Sequence, residues 1–158
     1  VTLVEIQTFK DLYRPHTCLL GMDIGRKTIG LALSDHRWQV ASPLTVLKRG
    51  KLSQDIEILN NVIHKHAVCG LVLGLPLNMD GSRGPMAQAV HDYAIALLKF
   101  LDLPIAFWDE RLTTVMAERV LLAADLSRQK RRQVVDKMAA ALILQGFLDR
   151  LNRIENPL

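Results

Sequence analysis

Apolar residues in the first third of this chain come in short runs or alternate with small ones. Farther on they recur at helical spacing, separated by further short runs. Residues 16–23 read as a buried strand through Cys18, Leu19, Leu20 and Met22. Gly25 punctuates a tight turn. Residues 28–34 make a second strand, with Ile29, Leu31 and Leu33 on one face and Gly30 and Ala32 on the other. So short a connection makes the two a hairpin. Residues 40–47 read as an edge strand, because Pro43 interrupts them. Ser53 is placed to cap a helix running to about His66, whose Ile56, Leu59, Val62 and Ile63 form one apolar face. Residues 69–75 are nearly all apolar, as in a parallel strand covered on both sides. A polar, turn-rich stretch, 76–84, then leads to Pro85, which suits the first position of a helix. Residues 104–108 are a short strand ending at Asp109-Glu110. Thr113 or Thr114 caps a helix to about Ala124, and residues 134–153 form the last one.

The order β-β-β-α-β-α-β-α-α predicts an α/β fold. An antiparallel meander of three strands passes into βαβ crossovers, giving a five-stranded mixed sheet with helices on both faces. A chain of 158 residues, 49% of them hydrophobic, has enough apolar surface for one domain. That domain is placed at residues 18–153. Residues 1–17 are weakly patterned and read as an N-terminal extension without an assigned role. No apolar run approaches the length of a membrane span, so no membrane partner is expected. Cys18 and Cys69 lie in apolar runs outside any CxxC pattern. They read as buried free thiols in a reducing compartment, and the expected location is cytoplasmic.

Charge changes this picture locally. The net charge is +4. Between Asp125 and Lys137 there are five basic residues (Arg128, Lys130, Arg131, Arg132, Lys137) against two acids, Asp125 and Asp136, or +3. The rest of the chain is therefore only +1. A concentrated basic segment suits a polyanion such as nucleic acid, although a solvated helix end explains the charge alone equally well. Aromatics are 5% of the chain, so base stacking is not the obvious mode of binding.

Three acidic segments carry the chemistry: Asp23 ending the first strand, Asp109-Glu110 ending the last, and Asp136 near the start of the final helix. In an α/β sheet, strand C-termini and a covering helix converge where the connection direction changes. Convergent carboxylates hold hard cations, and Mg²⁺ or Mn²⁺ in such a setting hydrolyses phosphodiesters. Each acid also has a plain alternative: a turn cap for Asp23, a strand-end salt bridge for Asp109 or Glu110, a helix-dipole contact for Asp136. Asp109 and Glu110 are adjacent, so in a continuing strand only one reaches Asp23. The other is left to Arg111 or to backbone amides. Arg26 and Lys27, in the turn after Asp23, are placed for phosphates, as is Arg83 in the loop 76–84. The five histidines show no zinc spacing, and no phosphate-binding GxxxxGK[ST] is present.

Three blocks, residues 21–35, 72–88 and 109–114 followed by 134–145, make the chain resemble the YqgF/RuvX family. Its names carry both a Holliday junction resolvase and a pre-16S rRNA nuclease. The resemblance implies an RNase H-like fold and divalent-metal nuclease chemistry. By position, Asp23, Glu110 (with Asp109 beside it) and Asp136 would be the acidic set. Arg26, Lys27, Arg83, Arg111, Arg128, Lys130, Arg131, Arg132 and Lys137 would face nucleic acid. Arg26 stands where the family usually has a small hydroxyl residue. The expected function is trimming of the 5′ end of precursor 16S rRNA, with ribosomal particles as further partners. The alternatives are resolution of branched DNA and non-catalytic binding during ribosome assembly. A sugar-kinase or actin-like ATPase needs a second phosphate hairpin, for which the chain is too short. Oligomeric state is left open.

Overall fold

The nearly continuous apolar run of residues 69–75 lies at the middle of the sheet, and the strand that Pro43 interrupts lies at one edge. The computed structural model describes residues 3–112 and 128–155, apart from the side chains of 128–137 and 155. Strands β1 (Cys18–Ile24) and β4 (Val68–Leu75) are buried along nearly their whole length. They lie at the middle of a five-stranded sheet in the order β3-β2-β1-β4-β5. β2 (Thr28–Ser34) pairs antiparallel with β1, and β3 (Ala41–Lys48) antiparallel with β2. β4 runs parallel to β1, and β5 (Ile105–Asp109) parallel to β4. β3, the strand interrupted by Pro43, is the largely exposed edge. All strands but β2 therefore point their C-terminal ends the same way, with the connection direction reversing at β1.

Two apolar layers sandwich the sheet. Helices α2 (Leu52–His66) and α3 (Pro85–Leu98) cover one face through Ile56, Leu59, Val90 and Leu97, against Leu20, Met22, Leu71 and Leu73. On the other, α1 (Ile6–Asp11) and the long α4 (Arg128–Glu155) pack on Leu19, Ala32, Val72 and Ala106. This second face is built of small residues so that α4 can lie close. A Cβ on Gly21 would fall 2.7 Å from Leu144 Cβ and 2.9 Å from the Ala140 carbonyl oxygen. The side chain of Gln145 fastens α4 to the chain entering β3, accepting from Ala41 N–H at 2.9 Å and donating to the Gln39 carbonyl at 2.9 Å. No helix among the described residues is long and apolar enough to cross a membrane.

Four local expectations change. The N-cap of α2 is Lys51, not Ser53, with its backbone N–H bonded to Gln54 Oε1 at 3.3 Å. The chain turns helical directly after β5, at residues 110–112, ahead of a cap at Thr113 or Thr114; the helix expected there to Ala124 lies outside the described residues. The last helix begins at Arg128, because the basic stretch joins it rather than forming a loop before it. Cys18 is buried as expected, but Cys69 is half-exposed, and both thiols are free. Burial is the main cause that pushes the Cys18 thiol up to about 11, so it is an inert core group.

Leu3, Val4 and Phe9, ahead of β1, are anchored to the domain. Val4 N–H donates to the Ile105 carbonyl at 2.9 Å, and Leu3 bridges Ile105 in parallel, extending the β5 edge. Phe9 is fully buried, edge-on to Phe147 with ring centroids 5.3 Å apart. Truncating a buried phenylalanine costs about 3–5 kcal/mol. Phe9→Ala is therefore expected to lower the unfolding free energy measured by urea titration by that amount, whereas an extension that contributes nothing would leave it unchanged.

Candidate active site

Asp23 is positioned by strand parity. Leu19, Gly21 and Asp23 share the face of β1 under α4, and Asp23 is the half-buried member where the strand meets its turn. Its neighbours on the sheet lack side chains. Gly30 is its partner on β2. On β4, Met22 pairs with Leu73, which brings Gly74 next in line. A third strand completes the site: Gly74 pairs with Trp108 and Leu75 with Asp109. Asp109 is the last strand residue, and the turn into helix at Glu110 swings that carboxyl back over Gly74. Glu110 Cδ lies 2.9 Å from where a Gly74 Cβ would stand.

The end of β5 thus settles which of the adjacent acids meets Asp23. The Glu110 carboxyl is hydrogen-bonded to Asp23. Burial first, then the negative charge of Asp23, pushes it up to about 8. The upward shift favours a proton on Glu110, hydrogen-bonded to Asp23. Asp109 turns the other way into a bidentate pair with Arg111, with Nη2 to Oδ2 2.6 Å and Nε to Oδ1 3.0 Å. That guanidinium holds Asp109 below the usual carboxylate range. Arg111 also donates to the Met79 carbonyl at 3.1 Å, tying the loop 76–84 to the end of β5.

A pH dependence follows. The Glu110 carboxyl titrates near 4.5 when free and near 8 when folded, so its protonated form stabilises the fold. That contribution is complete below about pH 4.5 and is lost as pH rises through about 8. In EDTA, the wild-type melting temperature is expected to fall between pH 5 and 8 more steeply than that of Glu110→Gln, which mimics the protonated acid. Parallel curves for the two proteins would contradict the proton on Glu110.

The other expected residues sort as follows. Arg26 and Lys27 are exposed on the β1–β2 turn. Arg83 is exposed in the loop 76–84, where Asn78 and Ser82 are bonded to each other at 3.0 Å. Asp136 belongs to α4 by its backbone, four residues before Ala140, whose Cβ lies 3.6 Å from where a Gly30 Cβ would stand. The side chain of Asp136, like those of Arg128, Lys130, Arg131, Arg132 and Lys137, lies outside the described residues. Sequence reading missed Arg49. Its Nη1 donates to the Gly25 carbonyl at 2.7 Å, its backbone N–H donates to the Lys27 carbonyl at 2.8 Å, and its guanidinium lies 4.8 Å from the Tyr93 ring centroid. It fixes the turn behind Asp23. Only the end of an edge strand marks its position in the sequence.

Among the described residues, no three His, Cys, Asp or Glu side chains group tightly enough to hold a metal ion. Asp23 and Glu110 are two adjacent carboxyls, the side-chain type that a hard cation takes.

The structure is similar to that of T. thermophilus RuvC in complex with Holliday junction substrate, at a TM-score of 0.51 and 15% identity. The likeness covers 86% of this chain and 96% of that one. It shows the fold, which is RNase H-like. A "Putative pre-16S rRNA nuclease" of Paracoccus denitrificans is 51% identical over 147 residues, 93% of each chain. A protein of the same name from Paramagnetospirillum magneticum is 56% identical over 131 residues, 83% of this chain and 84% of that one. Fold, carboxylate pair and relatives together define a nuclease of the RNase H-like class. Residues 17–150 match the RuvX family, described as Holliday junction resolvase, and the chain belongs to that family.

Proposed function

We propose that this protein is a divalent-metal-dependent nuclease that processes the 5′ end of precursor 16S rRNA. The observation that carries the chemistry is the Asp23–Glu110 pair, two oxygen-donor carboxyls brought together where Glu110 folds back over Gly74 at the end of β5. A site that keeps two carboxyls adjacent at the cost of protonating one fits a dication in place of that proton. Asp23 and Glu110, with Asp136 from α4 as the third acid, would hold Mg²⁺ or Mn²⁺. Such an ion, when bound, supplies Lewis-acid activation of water and neutralises charge at the phosphodiester.

The remaining work belongs to the chain itself. Gly74 makes the room that the Glu110 carboxyl occupies, and Gly30 keeps the sheet beside Asp23 free of a side chain. The Asp109–Arg111 pair fixes the turn from which Glu110 projects. Arg26 and Lys27 at the adjacent turn, and the basic segment of α4, are charged for backbone phosphates. The RNA substrate rests on the names of the relatives at about half identity.

The test is cleavage of a labelled 5′-extended 16S precursor and of a four-way DNA junction, side by side with Mg²⁺ or Mn²⁺. Faster cleavage of the RNA supports rRNA processing. Preference for the junction moves the assignment to resolvase, the activity in the family's description. Binding of both substrates without cleavage of either would make the protein an assembly factor.

A further inference from the structure

The open edge of β5 carries a cavity that the carboxylate chemistry does not use. It measures about 460 Å³, within the range of small-molecule sites. Its origin is in the chain path. The N-terminal segment pairs with β5 only at Ile105 and then turns into α1, where Phe9 enters the core. Two strand residues farther on, Phe107 and Trp108 are left facing a gap between the edge and residues 3–6. Arg83, His91 and Arg150 complete the lining.

These groups form a particular chemical set. The His91 imidazole is stacked on Phe107, with centroids 5.7 Å apart and 27° between planes. His91 Nδ1 is buried and has no hydrogen-bond partner among the described residues, a vacancy that buried polar atoms seldom tolerate. Trp108 lies against α4 where that helix has no side chain: a Cβ on Gly146 would stand 2.8 Å from the indole. Arg83 and Arg150 are both exposed, facing one acid, Glu5, in the lining. An aromatic wall of Phe107 and Trp108 and two guanidinium forks together match a nucleotide. A base lies along the aromatic wall, while its phosphate accepts from arginine.

The location says which nucleotide. Trp108 is two residues from Glu110, and Arg83 closes the loop that Arg111 ties to the end of β5. We propose that this cavity is a subsite for one unstacked nucleotide of the substrate strand, beside the bond to be cut. The assignment rests on the nuclease reading above. Its outer wall, residues 3–6, lies outside the 17–150 matched by the family model, so the segment ahead of β1 completes the subsite.

Tryptophan emission of the full chain in EDTA tests this, titrated separately with a short single-stranded oligoribonucleotide, a nucleoside 5′-monophosphate and inorganic phosphate. The oligonucleotide is expected to quench emission, and Trp108→Leu is expected to remove the quench. Arg150→Gln and Arg83→Gln should each weaken binding about tenfold, the loss of one charge-assisted contact, with partial rescue by Arg150→Lys. Both arginines are exposed, so an unchanged melting temperature will separate binding from folding. Binding of the monophosphate but not the oligonucleotide would overturn the strand assignment in favour of a free nucleotide ligand. Equal competition by phosphate alone would overturn the base contacts, and no effect of Arg150→Gln would overturn the subsite. No cleavage is read in EDTA, so failure of the nuclease reading and failure of this one give different results.

Discussion

Asp23→Asn and Glu110→Gln are each expected to reduce metal-dependent phosphodiester cleavage by about 10³-fold, with folding retained. Charge stabilisation by a bound cation is worth several kcal/mol, and every 1.36 kcal/mol is tenfold in rate. Removing one of two adjacent ligand charges forfeits most of that. Neither amide leaves a hole, and neither buries a new charge. Glu110→Gln removes a carboxyl that burial and Asp23 already push up to about 8, so its melting temperature at pH 8 should equal or exceed that of wild type. The pair should also be non-additive: the double variant should lose little more activity than either single one, because the two carboxyls act as a unit. Single-turnover rates at saturating Mn²⁺ measure this. Rates within a few-fold of wild type would place the chemistry elsewhere.

The second large effect comes from a residue with no chemistry of its own. A Cβ on Gly74 would clash with Glu110 Oε1 and stand 2.5 Å from Ile143 Cδ1. Gly74→Ala therefore has to move Glu110 away from Asp23 or lift α4. A displacement of about 1 Å at a reacting group costs about 10²-fold in rate, and overpacking costs about 1–3 kcal/mol in stability. Rate and melting temperature are both expected to fall, the rate far more. Gly21→Ala presses on α4 farther down the same face, 2.7 Å from Leu144 Cβ, and should cost stability with a much smaller loss of rate. If the two variants lose activity in the same proportion to stability, Gly74 is only a packing residue.

The strands were legible because their patterns differ in kind. Continuous burial in β4, alternation in β2 and a proline in β3 each specify a sheet position, and the hairpin after Asp23 follows from a turn too short for anything else. The parity of Leu19, Gly21 and Asp23 already put the carboxylate on one face. The choice between Asp109 and Glu110 was not legible, because it depends on the residue at which extended backbone becomes helical. Propensity blurs that boundary, and the bidentate Asp109–Arg111 pair helps to fix it. The anchoring of residues 3–9 was also hidden. A six-residue helix with one buried side chain, Phe9, has too little periodicity to register. The cavity beside β5 is a product of that anchoring and of residues far apart in sequence, so no local pattern announces it.

The central claim is that Asp23 and Glu110 together hold a divalent cation. Calorimetric titration of Mn²⁺ into wild type and Glu110→Gln, at pH 7 in buffers of different ionisation heat, tests it most directly. The account predicts binding to wild type with release of a proton, the one on Glu110, and a large loss of affinity without proton release in the variant. Equal affinity in the two proteins, or binding to wild type without proton release, would contradict it.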